Sequence, residues 1–123
     1  MTFSVTTTKT DTVTQDHIGS LLCSAFEGGS NYWYSLEQYS KTEDGYLDYW
    51  GLADPDGSQQ WIVVDREDVH EKHHLNRVAI QRGLQVLANK YPERLQEIVQ
   101  EDADAETADV FLQCALFGEV IFG

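Results

Sequence analysis

Ala25-Phe26-Glu27-Gly28-Gly29-Ser30-Asn31-Tyr32-Trp33-Tyr34 decides the fold, because the hydrophobic period of the chain changes across it. Upstream, Ile18, Leu21, Leu22, Ala25 and Phe26 recur at i, i+3, i+4, i+7 and i+8, which is one face of a helix. Downstream, over positions 31–65, the period falls to two. Tyr32, Trp33, Tyr34, Tyr39, Tyr46, Tyr49, Trp50 and Trp61 all fall there, as amphipathic rings that pack a sheet and keep a polar tip wet. Between the two, the adjacent Gly28 and Gly29 predict a helix end that leaves through positive φ, which a residue with a Cβ reaches only at a cost.

Toward the N-terminus, Thr12-Val13-Thr14-Gln15 has the form of a capping box, so the helix is expected to start near Val13. Before it, Phe3-Ser4-Val5-Thr6-Thr7-Thr8-Lys9 alternates and is rich in β-branched residues. That predicts a strand with Phe3 and Val5 inward, added at an edge of the sheet. Toward the C-terminus, strands are expected at 32–39, 46–53 and 59–65, forming an antiparallel meander. Its turns are Lys41-Thr42-Glu43-Asp44-Gly45 and Asp54-Pro55-Asp56-Gly57.

After an acidic linker, Asp65-Arg66-Glu67-Asp68, the residues Ile80, Leu84, Leu87, Ala88 and Tyr91 keep to one helical face. Pro92 breaks that helix and opens a further turn or two, with Leu95 and Ile98 continuing the face. Glu101-Asp102-Ala103-Asp104 caps a last helix over 105–117, apolar nearly all round and therefore buried or oligomeric. Gly118 ends it, and the apolar tail Val120-Ile121-Phe122 needs cover, as from an added strand. The expectation is one α+β domain over 1–123: an N-terminal strand and helix, an antiparallel meander, and two C-terminal helices packed on the sheet.

Charge narrows the function. The 123 residues carry 21 acidic against 8 basic side chains, a net charge of −13. Such a field repels nucleic acid, so direct nucleic-acid binding is not expected; it suits solubility, or a partner with a basic surface that normally holds DNA or RNA. There is no run of 18 apolar residues and no basic, apolar leader, so neither a membrane nor secretion is expected, and the cytoplasm is the default. Cys23 and Cys114 lie in apolar helical patterns without a metal or redox spacing and read as free buried thiols; no cofactor is expected.

Three sets of residues are candidate sites. His70-Glu71-Lys72-His73-His74 fits the zinc-hydrolase pattern, in which two histidines one helical turn apart hold the metal and the glutamate activates water. That chemistry needs a helix through all five residues and a third ligand, which Glu93 or Glu97 would supply by spacing. The polar flanks Arg66-Glu67-Asp68 and Asn76-Arg77 instead suggest an exposed helix start, leaving His70, His73 and His74 as metal candidates only. Asn31, Tyr32 and Trp33, beside the glycine pair, would line a ligand pocket, and an oligomer sequestering a nucleotide is the corresponding reading. Against it, the glycines close a helix rather than open one, so their amides do not face an anion. The acids form the third set. Glu43, Asp44, Asp48, Asp54, Asp56, Asp65, Glu67 and Asp68 follow the turns and linker, and a second run comprises Glu93, Glu97, Glu101, Asp102, Asp104, Glu106 and Asp109. Carboxylates placed this way imitate a phosphate track to a protein that grips DNA through lysine and arginine.

The stretch 25–33, Lys90-Tyr91-Pro92, and Asp102-Ala103-Asp104-Ala105-Glu106-Thr107-Ala108-Asp109-Val110-Phe111-Leu112-Gln113-Cys114-Ala115-Leu116-Phe117-Gly118-Glu119-Val120-Ile121-Phe122-Gly123 together resemble a family of small, uncharacterised bacteriophage and prophage proteins. The likeness spans most of the chain and is thinnest over 43–74. It carries no catalytic residues across, and the histidine string is not part of its pattern. It implies a small accessory protein acting in the cytoplasm of an infected bacterium. The sequence thus points to a non-enzymatic protein that binds and inhibits a host protein with a basic surface, such as a nucleic-acid-handling defence factor. Homodimerisation through the last helix or tail stays open.

Overall fold

The chain opens with a hairpin. In the computed structural model, which describes residues 2–6 and 10–123, strand β1 (Thr2–Thr6) pairs antiparallel with β2 (Thr10–Thr14), and the two form a sheet of their own. Phe3 and Val5 are buried, as their alternation predicts, and Phe3 lies across the ladder from Val13. The expected strand over 3–9 is corrected in two ways. Its partner is the β-branched run Thr12-Val13-Thr14 rather than the main sheet, and its positions 7–9 lie outside the described residues.

Helix α1 (Gln15–Ser24) therefore starts after Val13, with Thr14 as its cap. Thr14 Oγ1 accepts the His17 N–H at 3.1 Å and His17 Nδ1 accepts the Thr14 N–H at 3.1 Å, so a histidine completes the box that glutamate usually completes. Ile18, Leu21, Leu22, Ala25 and Phe26 are all buried, as the periodicity requires. The helix does not stop at Gly28. It widens into a π turn, Ala25–Gly29, closed by the Ser30 N–H on the Ala25 carbonyl at 2.8 Å. Neither Gly28 nor Gly29 adopts positive φ. Gly29 is required instead by a close approach: a Cβ there would stand 2.1 Å from the Ala105 carbonyl oxygen.

The main sheet has the order β3 (Tyr34–Gln38), β4 (Trp61–Asp65), β5 (Asp68–Leu75), antiparallel throughout. The expected strand over 46–53 is absent. Its inward residues Tyr49, Leu52 and Ala53 follow a helical i, i+3, i+4 spacing, and they form the single turn α2 (Tyr49–Leu52). Asp48 holds that turn, its Oδ1 accepting the Gly51 N–H and its Oδ2 the Gln59 side-chain amide, each at 3.0 Å. The Trp50 ring lies against Gly19 of α1, where an added Cβ would meet it at 2.6 Å, and its indole N–H donates to Asp16 at 2.9 Å. The third strand of the meander is β5, in the stretch where sequence suggests a linker and a helix start. Both expected turns are present, with Gly45 at φ +88° and the Gly57 N–H on the Asp54 carbonyl at 2.9 Å.

Three helices, not two, complete the α+β fold: α3 (Arg77–Lys90), α4 (Pro92–Val99) and α5 (Ala105–Phe117). Pro92 opens α4 where its missing N–H costs no bond. Asp104 caps α5 and Gly118, at φ +77°, ends it. Helix α5 is the centre of the molecule, packed by α3, α1, the π turn and β5. Helix α3 crosses it so closely that a Cβ on Gly83 would lie 2.8 Å from the Ala115 Cα. Phe111, Leu112, Cys114, Ala115 and Leu116 are buried within this one chain, so the apolar helix does not require a second copy. The tail adds no strand. Gln113 stands in for one, its Oε1 accepting the N–H groups of Ile121 and Phe122 at 2.8 Å each.

The adjacent glycines make a paired test. Gly29→Ala drives a Cβ into the Ala105 backbone and is expected to cost about 3 kcal/mol, the upper range for overpacking. Gly28→Ala meets nothing within 4 Å and should change stability by less than about 0.5 kcal/mol. Urea denaturation of the two variants checks this.

Candidate functional site

Asp109 projects from the buried side of α5 and is only 8% exposed. A carboxylate there needs donors, and one short turn provides three. The Ser30 hydroxyl donates to Oδ1 at 2.7 Å, the Trp33 indole N–H to Oδ1 at 2.9 Å, and the Tyr32 hydroxyl to Oδ2 at 2.7 Å. The phenol of Tyr32 is pushed up to about 12 by burial and by this bond to a carboxylate. The acid that sequence groups with the surface carboxylates is thus the clamp between α5 and the stretch after the glycines.

Of the three candidate pocket residues, Tyr32 alone faces a cleft. That cleft has a volume of about 490 Å³ and is walled by Tyr32, Glu106, Asp109, Val110, Val120 and Phe122. Trp33 is buried, stacked on Phe122 at 5.1 Å and tilted against Phe117 at 5.4 Å; Asn31 is exposed and does not line the cleft. Glu106 and Asp109 give the wall negative charge, which repels phosphate and makes a nucleotide a poor occupant. Both oxygens of Asp109 are already engaged by donors.

The histidine string is corrected by the backbone. His70, His73 and His74 lie on strand β5, not on a helix. Neighbouring side chains on a strand point to opposite faces, so His73 and His74 diverge, and His70 lies about 13 Å along the extended chain from His74. His73 turns inward, edge-on to Phe117 at 4.7 Å and with Nε2 3.8 Å from Glu71; His70 and His74 are exposed. Among the described residues no group of three His, Cys, Asp or Glu side chains is arranged to hold a metal ion.

A second cleft, of about 280 Å³, lies between α1 and the α4–α5 connection, with Asp16, His17, Ser20, Ser24 and Glu101 around it. It has the residue types of an acid–base site, but His17 has both ring nitrogens occupied. Nδ1 accepts the Thr14 N–H, and Nε2 stands 3.4 Å from Glu101, whose backbone sits at φ +62°. Here His17 is a cap. Both thiols are held protonated, Cys114 at about 11 by burial and Cys23 raised by burial and by Glu27 beside it.

The acids divide by role. Asp48 caps α2, Asp54 accepts the Asp56 N–H at 2.9 Å, and Asp65 accepts the Glu67 N–H at 2.9 Å, so these three hold turns. Glu43, Asp44, Asp56, Glu67 and Asp68 are exposed, and no ion pair among the described residues involves them. Glu43, Asp44 and Asp56 belong to the segment joining β3 to β4, Glu67 to the turn joining β4 to β5, and Asp68 to the first position of β5. The two groups therefore belong to or adjoin the connections that leave opposite ends of β4. Sequence reasoning misses Asp109, Gln113 and His17 as structural hubs. The signal for the first two is present, since they are the polar residues, at i and i+4, of a run over 108–117 that is otherwise apolar.

Compared with known proteins, the chain matches no family model, no curated protein and no solved structure.

Two outcomes test the clamp. Asp109→Ala leaves the buried Ser30 and Trp33 donors without an acceptor and is expected to cost about 3 kcal/mol in urea denaturation, with altered Trp33 fluorescence. The raised Tyr32 pKa favours the neutral phenol in the folded state. Its contribution is complete below the ordinary value of 10 and is lost as pH rises through about 12. Burial raises Tyr34 and Tyr49 in the same direction. Stability should therefore fall across this alkaline range, and fall less in Tyr32→Phe than in the parent chain.

Proposed function

We propose that this chain is a non-enzymatic accessory protein that binds and inhibits another protein, one whose surface is basic because it handles nucleic acid. The setting is the bacterial host cytoplasm implied by the phage resemblance. The observation that carries the reading is the exposure of Glu43, Asp44, Asp56, Glu67 and Asp68 in or beside turns, free of ion pairs among the described residues, on a chain of net charge −13. Unpaired carboxylates on turns keep their field directed outward, and they steer and hold a cationic partner.

Two further observations support it. The enzyme-like histidine string lies on a strand, without the helical spacing that zinc hydrolysis needs. The cleft beside Tyr32 has an acidic wall that disfavours the nucleotide-sequestering alternative. No helix among the described residues is long and apolar enough to cross a membrane.

The test is affinity capture from a bacterial lysate, comparing the parent chain with a variant carrying Glu43→Gln, Asp44→Asn, Asp56→Asn, Glu67→Gln and Asp68→Asn. The expected result is a basic, nucleic-acid-handling protein retained by the parent at low salt, released at high salt, and absent from the variant capture. Recovery of the same proteins by both chains, or of none that handles nucleic acid, overturns the reading.

A further inference from the structure

We propose that the open edge of β3 is a docking site for an extended segment of a partner protein, one with carboxylates at its two ends, which joins the main sheet as a fourth strand. None of those exposed acids lines this surface, whose cations are opposite to them in charge, so it is tested on its own.

The strand order leaves β3 with a neighbour on one side only. The Arg66 N–H donates to the Trp33 carbonyl at 2.9 Å, which sets the phase of the ladder. Ser35, opposite Val64, is then the next residue bonded to β4, and the N–H and C=O of Tyr34 and Leu36 turn toward the open edge. Beside them runs a groove of about 350 Å³, walled by Tyr34, Leu36 and Tyr39 from the β3 segment, Lys41 and Leu47 from the hairpin that follows, and Arg66. Lys41 and Leu47 face each other in an isolated antiparallel bridge.

Two cations line the groove, Arg66 from beyond the last residue of β4 and Lys41 from beyond the last residue of β3. The Arg66 guanidinium lies 6.0 Å from the centre of the Tyr34 ring, and the Lys41 ammonium 6.0 Å from that of Tyr39. No aspartate or glutamate lines the groove, on a chain with 21 acids and 8 basic residues. From Tyr34 to Tyr39 is five steps, at most about 17 Å of chain given the register shift after Leu36, so the two charges of the ligand belong no more than about five residues apart. Leu36 and Leu47 make the middle apolar. Glu43, Asp44 and Glu67 on the flanking turns disfavour a ligand that is acidic throughout. Backbone bonds along the edge would supply affinity, and the paired end charges register.

The probe is the peptide acetyl-Glu-Val-Thr-Val-Thr-Glu-amide, titrated into the full ¹⁵N-labelled chain, with the peptide bearing lysine in place of both glutamates as control. The acidic peptide is expected to shift the amide signals of 34–39, and Lys41→Glu with Arg66→Glu to weaken binding by about tenfold or more. Leu36→Pro removes an outward N–H where an edge strand tolerates proline, so binding should be lost while far-ultraviolet circular dichroism stays unchanged. The proposal is overturned if neither peptide shifts these signals, if the lysine peptide binds as well, or if the charge reversals leave binding intact. It is also overturned if the same amides shift with protein concentration alone, which would assign the edge to a second copy.

Discussion

A buried carboxylate with three donors holds the two halves of this molecule together. Asp109 on α5 would be strongly unfavourable in an apolar interior without Ser30, Tyr32 and Trp33, and those three have no reason to converge without it. Convergence also requires the chain to arrive in the right place. The π turn delivers it there, and Gly29 lets its backbone pass against Ala105 at the start of α5. One helical turn further on, Gln113 applies the same device to the tail, which brings Phe122 onto the Trp33 ring. The 25–33 stretch and the 102–123 stretch are distant in sequence and form one physical unit. A change in either is felt by both.

Much of this fold was legible from local signals. The buried face of α1, the break at Pro92, the limits of α5 and both Gly/Asp turns follow from 3.6-residue periodicity, the missing N–H of proline and capping chemistry. The failures occur where segments are short and tertiary contacts decide. Residues 46–53 alternate on paper, yet Tyr49, Leu52 and Ala53 suit one helical turn equally well, and packing of Trp50 on Gly19 selects it. Over 68–75 the side chains are polar on both faces apart from Val69 and Leu75, so no period distinguishes a strand from a helix start; pairing with β4 settles the matter. The candidate acids were visible as a group, but which of them cap turns and which face water depends on coordinates. Asp109 looked like its acidic neighbours because sequence carries no record of burial.

The abundance of tyrosine and tryptophan also has a structural cause. Phe26, Tyr34, Tyr49 and Trp61 form one ring cluster between α1, α2 and the sheet, with Phe26 edge-on to Tyr34 at 4.9 Å and stacked on Tyr49 at 6.1 Å. Trp33, Phe117 and Phe122 form a second, with His73 edge-on to Phe117. Such contacts add specific geometry to burial and fix ring orientations in a small sheet of only three strands. The rings of these two clusters are consumed in holding layers together and offer no stacking platform for bases. Tyr32, Tyr39, Tyr46 and Trp50 stand at the surface, dispersed among acidic turns.

The two edges of the sheet use that surface differently. β5 is exposed along most of its length and carries Asp68, Glu71 and Lys72, with Lys72 bridged across the sheet to Glu37 and a register break near its start. Charges and irregularity are the usual means by which a natural sheet discourages unwanted pairing. β3 has neither safeguard over Tyr34, Ser35 and Leu36, all half-buried, and its register shift comes only after Leu36. The uncharged, regular part of β3 is thus the short run 34–36, with Glu37 and the register shift guarding the rest of that edge. A strand joining this sheet would meet charge along most of β5 and an uncharged, regular run only over 34–36, which favours entry along β3.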